Sequence, residues 1–295
     1  MINVTHLRAF HAVATEGSFS KAARALNVGQ PTLSSQVKAL EAGYGVRLFD
    51  RRGRGVQLTD LGRSLAEVTN RLTSLQEEAE ALLSGTENLA HGTLTVGADS
   101  PTDAMELLAG LRTRFPGLGL KITMGNMESV LADLRDYRVD AALLSNVPID
   151  NHLHAVPFRR APLVLVARKD HPLAKRERIN LMELSGHALV LRERRSVTRD
   201  LFERAAVRTG LALNDVLEVE SREAVRAAVA AGLGAGIVIA SEHEPHPDLV
   251  TLPLGPTTIE VTEYAVCLRG RRRLSTIRAF LDLAAEMADA SAPRH

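Results

Sequence analysis

The stretch FSKAARALNVGQPTLSSQVKALE, residues 19–41, decides the fold of the N-terminal part of this chain. Its apolar residues recur at helical spacing in two groups, which are Ala22, Ala23 and Leu26, then Leu33, Val37 and Leu40. This spacing predicts two short helices that meet close to Gly29. An upstream helix is predicted from the apolar face formed by Leu7, Phe10 and Val13. Together the three segments predict a helix-turn-helix.

The predicted third helix carries small polar residues on the face that its apolar residues leave free. At the start of such a helix, these side chains offer the short donors and acceptors that contact base edges in DNA. We therefore predict DNA contacts from Ser20, Gln30, Pro31, Thr32, Ser34, Ser35 and Lys38. Taken alone, an alanine-rich helix pair is better explained as a corner in a helix bundle, so the neighbouring segments have to decide.

The next segment, YGVRLFDRRGRGVQLT at residues 44–59, predicts a basic hairpin, because two short β-like runs flank a glycine and arginine tip. We assign contacts with the DNA phosphates to Arg51, Arg52 and Arg54. The alternative for these arginines is a solvated loop. The hairpin, the polar helix face and the long helix that follows favour DNA binding in combination.

One long helix is predicted over residues 59–91. Its apolar residues step by three or four along the chain and are Leu61, Leu65, Val68, Leu72, Leu75, Ala79 and Leu82. Such a narrow seam is typical of a helix that pairs with a copy of itself, so we expect at least a homodimer.

Composition narrows the class of protein. The first 60 residues hold 8 Lys and Arg against 4 Asp and Glu, a balance of +4, and the remainder has a balance of −3. The single cysteine, Cys267, cannot form an intrachain disulfide. The longest stretch of low polarity, residues 227–240, is shorter than the roughly 20 residues that span a bilayer. The N-terminus shows no signal-peptide pattern, and these features predict a cytoplasmic protein.

After residue 92 the pattern changes to β-like runs that alternate with helical stretches, among them TLTVGA, LKITMG, DAALLS, LVLVAR, HALVLR, VLEVES and GAGIVIA. This alternation predicts parallel sheets covered by helices on both faces.

The residues LRAFHAVATEGSFSKAARALNVGQPTLSSQVKALE and YGVRLFDRRGRGVQLTDLG, with the long helix, resemble the LysR-type transcriptional regulators over the whole chain. Gly29 departs from the serine that is usual in the family. The resemblance implies an α/β fold with an all-α-type head, that is, a winged helix-turn-helix at residues 1–58 and a linker helix at 59–91. It also implies a two-lobed periplasmic-binding-protein-like domain at 92–295. Lobe I is expected at about 92–161 and 267–295, and lobe II at about 162–266.

The resemblance further implies a homodimer or a homotetramer built as a dimer of dimers, with a small-molecule effector between the lobes and no cofactor. Ligands of open α/β sheets bind beyond the carboxyl ends of strands. The polar residues at these junctions are predicted to bind the effector, and they are Asp99, Ser100, Thr102, Asn126, Ser145, Ser196, Thr198, Arg199 and Ser221. The alternative for each serine, threonine or asparagine is that it caps a helix.

The nature of the effector is suggested by two features. The four arginines at 192, 194, 195 and 199 are denser than a neutral ligand requires, which favours an anion, the alternative being that they are solvated. The stretch ESREAVRAAVAAGLGAGIV also resembles a subgroup of the family associated with aminoethylphosphonate catabolism.

Three rival classes of protein fit the sequence less well. An enzyme is disfavoured because Ser18 and Lys21 form an S-x-x-K pair without its partner motifs, and the glycines at 232, 234 and 236 miss the dinucleotide-binding spacing. No convincing set of metal ligands accompanies the histidine pairs. A transport-type binding protein requires a signal peptide and no DNA-binding head. A DNA-binding protein without an effector is the remaining alternative.

Overall fold

The computed structural model describes residues 2–50, 56–84, 92–148, 150–243, 245–256 and 258–291. Contacts divide the chain into two compact units, with residues 1–87 and 135–138 in the first and the rest in the second. Among the described residues, no helix combines the length and the apolar character that crossing a lipid bilayer requires.

The head of the first unit is a bundle of three helices, α1 (Val4–Glu16), α2 (Phe19–Ala25) and α3 (Gln30–Tyr44). Gly17 ends α1 in the left-handed conformation, with a φ of 61°, and Ser18 then caps α2. Ala22 and Ala23 are buried against Leu33, so the helices cross closely, as the sequence predicts. The predicted helix-turn-helix is therefore present.

A small wing follows α3. It consists of the antiparallel strands β1 (Phe49–Asp50) and β2 (Gln57–Leu58). The ring of Phe49 packs 5.2 Å from the ring of Phe10, which anchors the wing to the helical core. Helix α4 (Asp60–Ser84) then runs for 25 residues, and the rest of the predicted linker helix, residues 85–91, lies outside the described residues.

The wing and α4 approach each other closely at Gly62. A Cβ atom at this position would overlap the carbonyl oxygen of Leu48. We expect Gly62→Ala to lower the free energy of unfolding by about 1–3 kcal/mol, because backbone would have to move. Urea unfolding of the full chain measures this. Gly43→Ala is the control, since no atom lies within 4 Å of its added Cβ, and it should gain up to about 1 kcal/mol of helix propensity. Equal effects of the two changes would contradict the argument.

The second unit begins with a parallel sheet of three strands, β3 (Thr93–Ala98), β4 (Gly119–Met124) and β5 (Ala141–Ser145). Two helices connect them, α5 (Pro101–Arg114) and α6 (Met127–Arg135). These elements form lobe I. Its core is built mainly from leucine and alanine, with Phe158 and Phe280 as its buried aromatic residues.

The 16-residue strand β6 (Leu153–Arg168) carries the chain from lobe I to lobe II. Phe158 packs in the core of lobe I and Ala161 in the core of lobe II, so the crossing lies between them.

Lobe II contains the strands β7 (Ile179–Asn180), β8 (Leu189–Arg192), β9 (Val216–Val219), β10 (Ala235–Ile239) and β11 (Leu249–Gly255). Its helices are α7 (Val197–Thr209) and α8 (Arg222–Ala230). Strands β8, β9 and β10 are parallel to one another, whereas β10 and β11 both run antiparallel to β6.

Strand β12 (Glu260–Leu268) returns to lobe I, and α9 (Ser275–Ser291) packs on that lobe. Val261 lies in the core of lobe II and Ala265 in that of lobe I, so this second crossing falls slightly before the expected bound at 266. Because β12 is antiparallel to both β5 and β6, the sheets are mixed rather than purely parallel. The expectation of parallel sheets is therefore wrong for the crossing strands, which join the lobes in opposite directions.

Candidate functional site

Helix α3 presents the polar face that the sequence predicts. Gln30, Pro31, Thr32, Ser35 and Lys38 are exposed, and Ser34 is half-buried. Gly29 caps the helix without a side-chain hydrogen bond, so the first amides of α3 receive no side-chain acceptor from the cap. Such a helix start offers donors to bases or phosphates.

A hydrogen bond orients the first residue of this face. The hydroxyl of Ser20 on α2 donates to Oε1 of Gln30 at 2.9 Å. The remaining amide donors of Gln30 point away from this bond and are available for a partner such as adenine. The structure thus gives Ser20 a positioning part in the predicted DNA-binding face.

Glu41 is a residue that the sequence reasoning missed. Its Oε1 accepts hydrogen bonds from the backbone N–H groups of Leu48, at 2.8 Å, and Phe49, at 3.3 Å. These bonds fix the base of the wing to α3. The predicted phosphate contacts Arg51, Arg52 and Arg54 lie outside the described residues.

A cleft of about 520 Å³ opens between the two lobes. Six of the predicted effector-binding residues line it, and they are Asp99, Asn126, Ser145, Ser196, Thr198 and Ser221. Thr102 lines a smaller adjoining cavity of about 100 Å³, which Thr198 also borders. Ser100 and Arg199 are buried and line neither space.

The hydroxyl and amide groups at the cleft divide into two kinds. Oδ1 of Asn126 accepts from the N–H of Ser129 at 2.8 Å, and Oγ of Ser221 accepts from the N–H of Ala224 at 3.1 Å. These two side chains cap their helices. Ser196 stands at the start of α7 without making a side-chain cap, so its hydroxyl is available to a ligand.

The arginines around the cleft have different partners. Arg199 donates to Glu203 at 2.7 Å and to Glu218 at 2.5 Å, which turns its guanidinium away from the cleft. Arg192 and Arg195 line the cleft, as does Arg222, whose importance the sequence did not reveal. The arginines that line the cleft are therefore other residues than Arg199, and one of them, Arg192, donates to the carboxylate of Glu193 at 2.8 Å.

Arg222 connects the lobes. Its guanidinium donates to the carbonyl oxygen of Asp99 in lobe I at 2.8 Å, and it pairs with Glu242 in lobe II at 2.5 Å. Below it, Oγ of Ser145 donates to Oε1 of Glu263 at 2.6 Å. Burial raises the pKa of Asp99 and raises that of Glu263 well above its ordinary value.

These raised pKa values predict a pH effect on stability. A carboxyl group whose pKa is higher in the folded state keeps a proton at pH values where the unfolded chain has already lost it. This proton stabilises the folded state, and that stabilisation is lost as the pH rises through the folded pKa. We expect Glu263→Gln, which keeps a neutral side chain at every pH, to gain stability relative to wild type between pH 5 and pH 8.

Urea unfolding in the presence of EDTA measures this difference at each pH. Glu260→Gln is the matched control, because Glu260 is exposed on the same strand. A difference between wild type and Glu263→Gln that stays constant with pH would contradict the raised pKa of Glu263.

Two family models match the chain. The model for the bacterial regulatory helix-turn-helix protein of the lysR family matches residues 4–63, and the model for the LysR substrate binding domain matches residues 87–289. The chain belongs to the LysR family of transcriptional regulators. The winged head is the DNA-binding part of this LysR-type regulator, and the two-lobed domain is its effector-binding part.

Curated relatives agree with this LysR assignment. The RuBisCO operon transcriptional regulator of Allochromatium vinosum is 32% identical over 286 residues, which cover 95% of this chain and 94% of the relative. The transcriptional activator CmpR of Synechocystis sp. is 32% identical over 78% of this chain and 76% of its own length. The relatives are transcriptional regulators, so the chain is a regulator and not an enzyme. Their names do not support the aminoethylphosphonate subgroup.

Solved structures show the same fold. Full-length OxyR from Pseudomonas aeruginosa, in a variant form, superposes with a TM-score of 0.80 at 24% identity and covers 100% of this chain and 99% of its own. CbnR in complex with its target DNA superposes with a TM-score of 0.59 at 22% identity, with 97% and 100% of the two chains covered. The LysR architecture of head, linker helix and two-lobed domain is therefore common to all three.

Proposed function

We propose that this regulator acts in the cytoplasm and binds upstream DNA as a homodimer or a dimer of dimers, under the control of a small anionic metabolite. The observation that supports an anion is the placement of Arg192, Arg195 and Arg222 on one cleft, beside the hydroxyl of Ser196. Guanidinium groups and hydroxyls are the usual partners of phosphate, phosphonate and carboxylate groups.

The cleft also carries acidic side chains. Asp99, Glu193, Glu220 and Glu223 line it together with the arginines. A ligand with an anionic group at one end and an ammonium or several hydroxyl groups at the other would suit this lining. The arginines would contact the anionic end, and the acidic side chains would contact the other end. Aminoethylphosphonate fits this description through its ammonium. A sugar phosphate fits it through its hydroxyls, and the RuBisCO-related names of the relatives make ribulose 1,5-bisphosphate a second candidate.

Dimer formation is supported by the seam of α4. Leu65 and Leu72 pack against the core of the head, whereas Leu61, Val68 and Leu75 stay about half exposed at intervals of seven residues. An apolar residue at every seventh position is the pattern of a helix that pairs with another helix. Light scattering of the full chain gives the oligomeric state directly.

A thermal-shift screen tests the effector. The panel contains aminoethylphosphonate, ribulose 1,5-bisphosphate, inorganic phosphate, sulfate and benzoate. We expect at least one anion to raise the melting temperature in a saturable way. The Arg195→Gln change should lower the affinity for that anion by about 10-fold or more. Arg194→Gln is the matched control, since Arg194 is the exposed neighbour that does not line the cleft.

The alternative function is regulation without an effector. It predicts that no member of the panel changes the melting temperature. A ligand whose affinity is equally insensitive to both arginine changes would place the binding site elsewhere.

A further inference from the structure

A cluster of buried carboxyl groups lies where the lobes and the crossing strands meet. Asp103 stands on α5 of lobe I, Glu242 follows β10 of lobe II, and Glu263 lies on the crossing strand β12. Each offers a carboxylate oxygen that is within 4.8 Å of the others. All three side chains are at least 96% buried, so this is not an ordinary solvated acidic surface.

Two of these carboxylates contain an oxygen without a hydrogen-bond donor. Among the described residues, nothing donates to Oε1 of Glu242 or to Oε2 of Glu263, although both atoms are shielded from solvent. A buried oxygen that loses water without gaining a partner is destabilising, and native proteins seldom keep one without a reason. The two oxygens belong to side chains of the same cluster, so one partner between the side chains would satisfy both.

The charges at the cluster are unbalanced as well. Arg159 pairs with Asp103, and Arg222 pairs with Glu242. Asp99 and Glu263 add two further carboxyl groups that share the hydroxyl of Ser145. Four carboxyl groups face two guanidinium groups, so the cluster carries two negative charges without a partner whenever all four are ionised.

We propose that Asp103, Glu242 and Glu263 bind a divalent cation of the class that prefers oxygen ligands, namely Mg²⁺, Mn²⁺ or Ca²⁺. The ligand oxygens lie within 4.8 Å of one another, and oxygens bound to one such ion lie no farther apart than about twice the metal–oxygen distance, which is roughly 2.0–2.6 Å. One divalent ion removes the excess charge and satisfies both orphaned oxygens.

The three ligands connect the lobes in a way that gives the cation a regulatory part. One ligand comes from each lobe and the third from a crossing strand, so the bound ion stabilises one angle between the lobes. The effector cleft lies above the same junction, and Asp99 contributes to both. The cation site does not depend on the identity of the effector or on an effector being present.

Titration of the full-length protein with each cation tests the proposal. The protein is stripped with EDTA, exchanged into buffer at pH 7.5 and titrated with MnCl₂, MgCl₂ and CaCl₂. Calorimetry and thermal melting provide the readouts, and the paramagnetic signal of free Mn²⁺ counts the sites. We expect one saturable site per chain, and a loss of affinity of about 10-fold or more in Glu263→Gln.

Two further variants complete the test. Glu242→Gln should weaken binding as Glu263→Gln does, and it replaces that variant if Glu263→Gln fails to fold. Glu106→Gln is the control, because Glu106 also pairs with Arg159 but is half exposed and lies outside the three ligands. It should change the affinity by less than a factor of 2.

Two outcomes would overturn the proposal. The first is that none of the three cations binds at low millimolar concentration, while acidification alone stabilises the stripped protein. Protons rather than a metal would then neutralise the cluster. The second is that a cation binds but Glu242→Gln and Glu263→Gln leave its affinity unchanged, which would place it elsewhere.

Discussion

The Gln30→Ala variant is expected to bind its operator about 5- to 150-fold more weakly than wild type while keeping its affinity for unrelated DNA. Gln30 is the first residue of α3, it is exposed, and the hydroxyl of Ser20 holds its amide in place at 2.9 Å. We propose that Gln30 contacts a base edge rather than a phosphate, so its loss should remove sequence preference. Fluorescence anisotropy on the upstream intergenic DNA and on a scrambled duplex measures both affinities.

Two matched variants sharpen this prediction. Gln76→Ala removes an exposed glutamine from α4 and should leave both affinities unchanged. Ser20→Ala should reproduce part of the loss, since it frees the side chain of Gln30 without deleting it. A uniform loss on both duplexes in Gln30→Ala would show that Gln30 contacts the DNA backbone.

The second large effect is expected from Arg222→Met, which should lower the free energy of unfolding by about 3 kcal/mol. The change leaves Glu242, whose side chain is 4% exposed, without its guanidinium partner. It also removes the hydrogen bond to the carbonyl oxygen of Asp99 in the other lobe. Methionine keeps most of the apolar length of the side chain, so the fall in the free energy of unfolding measures mainly the loss of the charged guanidinium.

Urea unfolding of the full chain gives this value. Arg204→Met is the control, because the pair between Arg204 and Asp200 lies on the exposed surface of α7 and contributes about 0–1 kcal/mol. Similar losses in the two variants would mean that Arg222 contributes no more than a surface ion pair does.

The sequence predicts the head almost completely, because its signals are local. Helical spacing, the caps at Gly17 and Ser18 and the polar face of α3 all depend on residues that are close in the chain. The strand–helix alternation likewise predicts helices between the β-like runs, where α5, α6, α7 and α8 are found.

The runs LVLVAR and VTEYAVCLR predict the second half of β6 and the strand β12, but the first half of β6 and the antiparallel pairing escape prediction for a physical reason. The first half of β6 contains Pro157, Arg159 and Arg160, and a proline and charges weaken any strand pattern. The strand forms because its neighbours supply partners, since Arg159 lies opposite Glu263 on β12. Such pairing depends on residues about 100 positions apart, which no periodicity reveals.

In the cleft, too, local features are predictable from the sequence and long-range contacts are not. Junction residues such as Ser196 and Asn126 are predictable, because strand ends and helix starts are visible in the sequence. Arg222, which reaches the carbonyl oxygen of Asp99 in the other lobe, and its partner Glu242 carry no signal of their own. The partners of Arg199 are equally hidden, which is why the sequence assigns that residue to the cleft.

We propose that an anion in the cleft controls DNA binding, and one measurement tests this control most directly. Anisotropy titration of the upstream intergenic DNA is performed with and without each anion that stabilises the protein, in wild type and in Arg195→Gln. Wild type is expected to bind this DNA tightly, in a salt-sensitive way, and in preference to a scrambled duplex. At least one anion should change the affinity or footprint of wild type but not that of Arg195→Gln. Binding that no anion alters, or that Arg195→Gln leaves fully responsive, would contradict it.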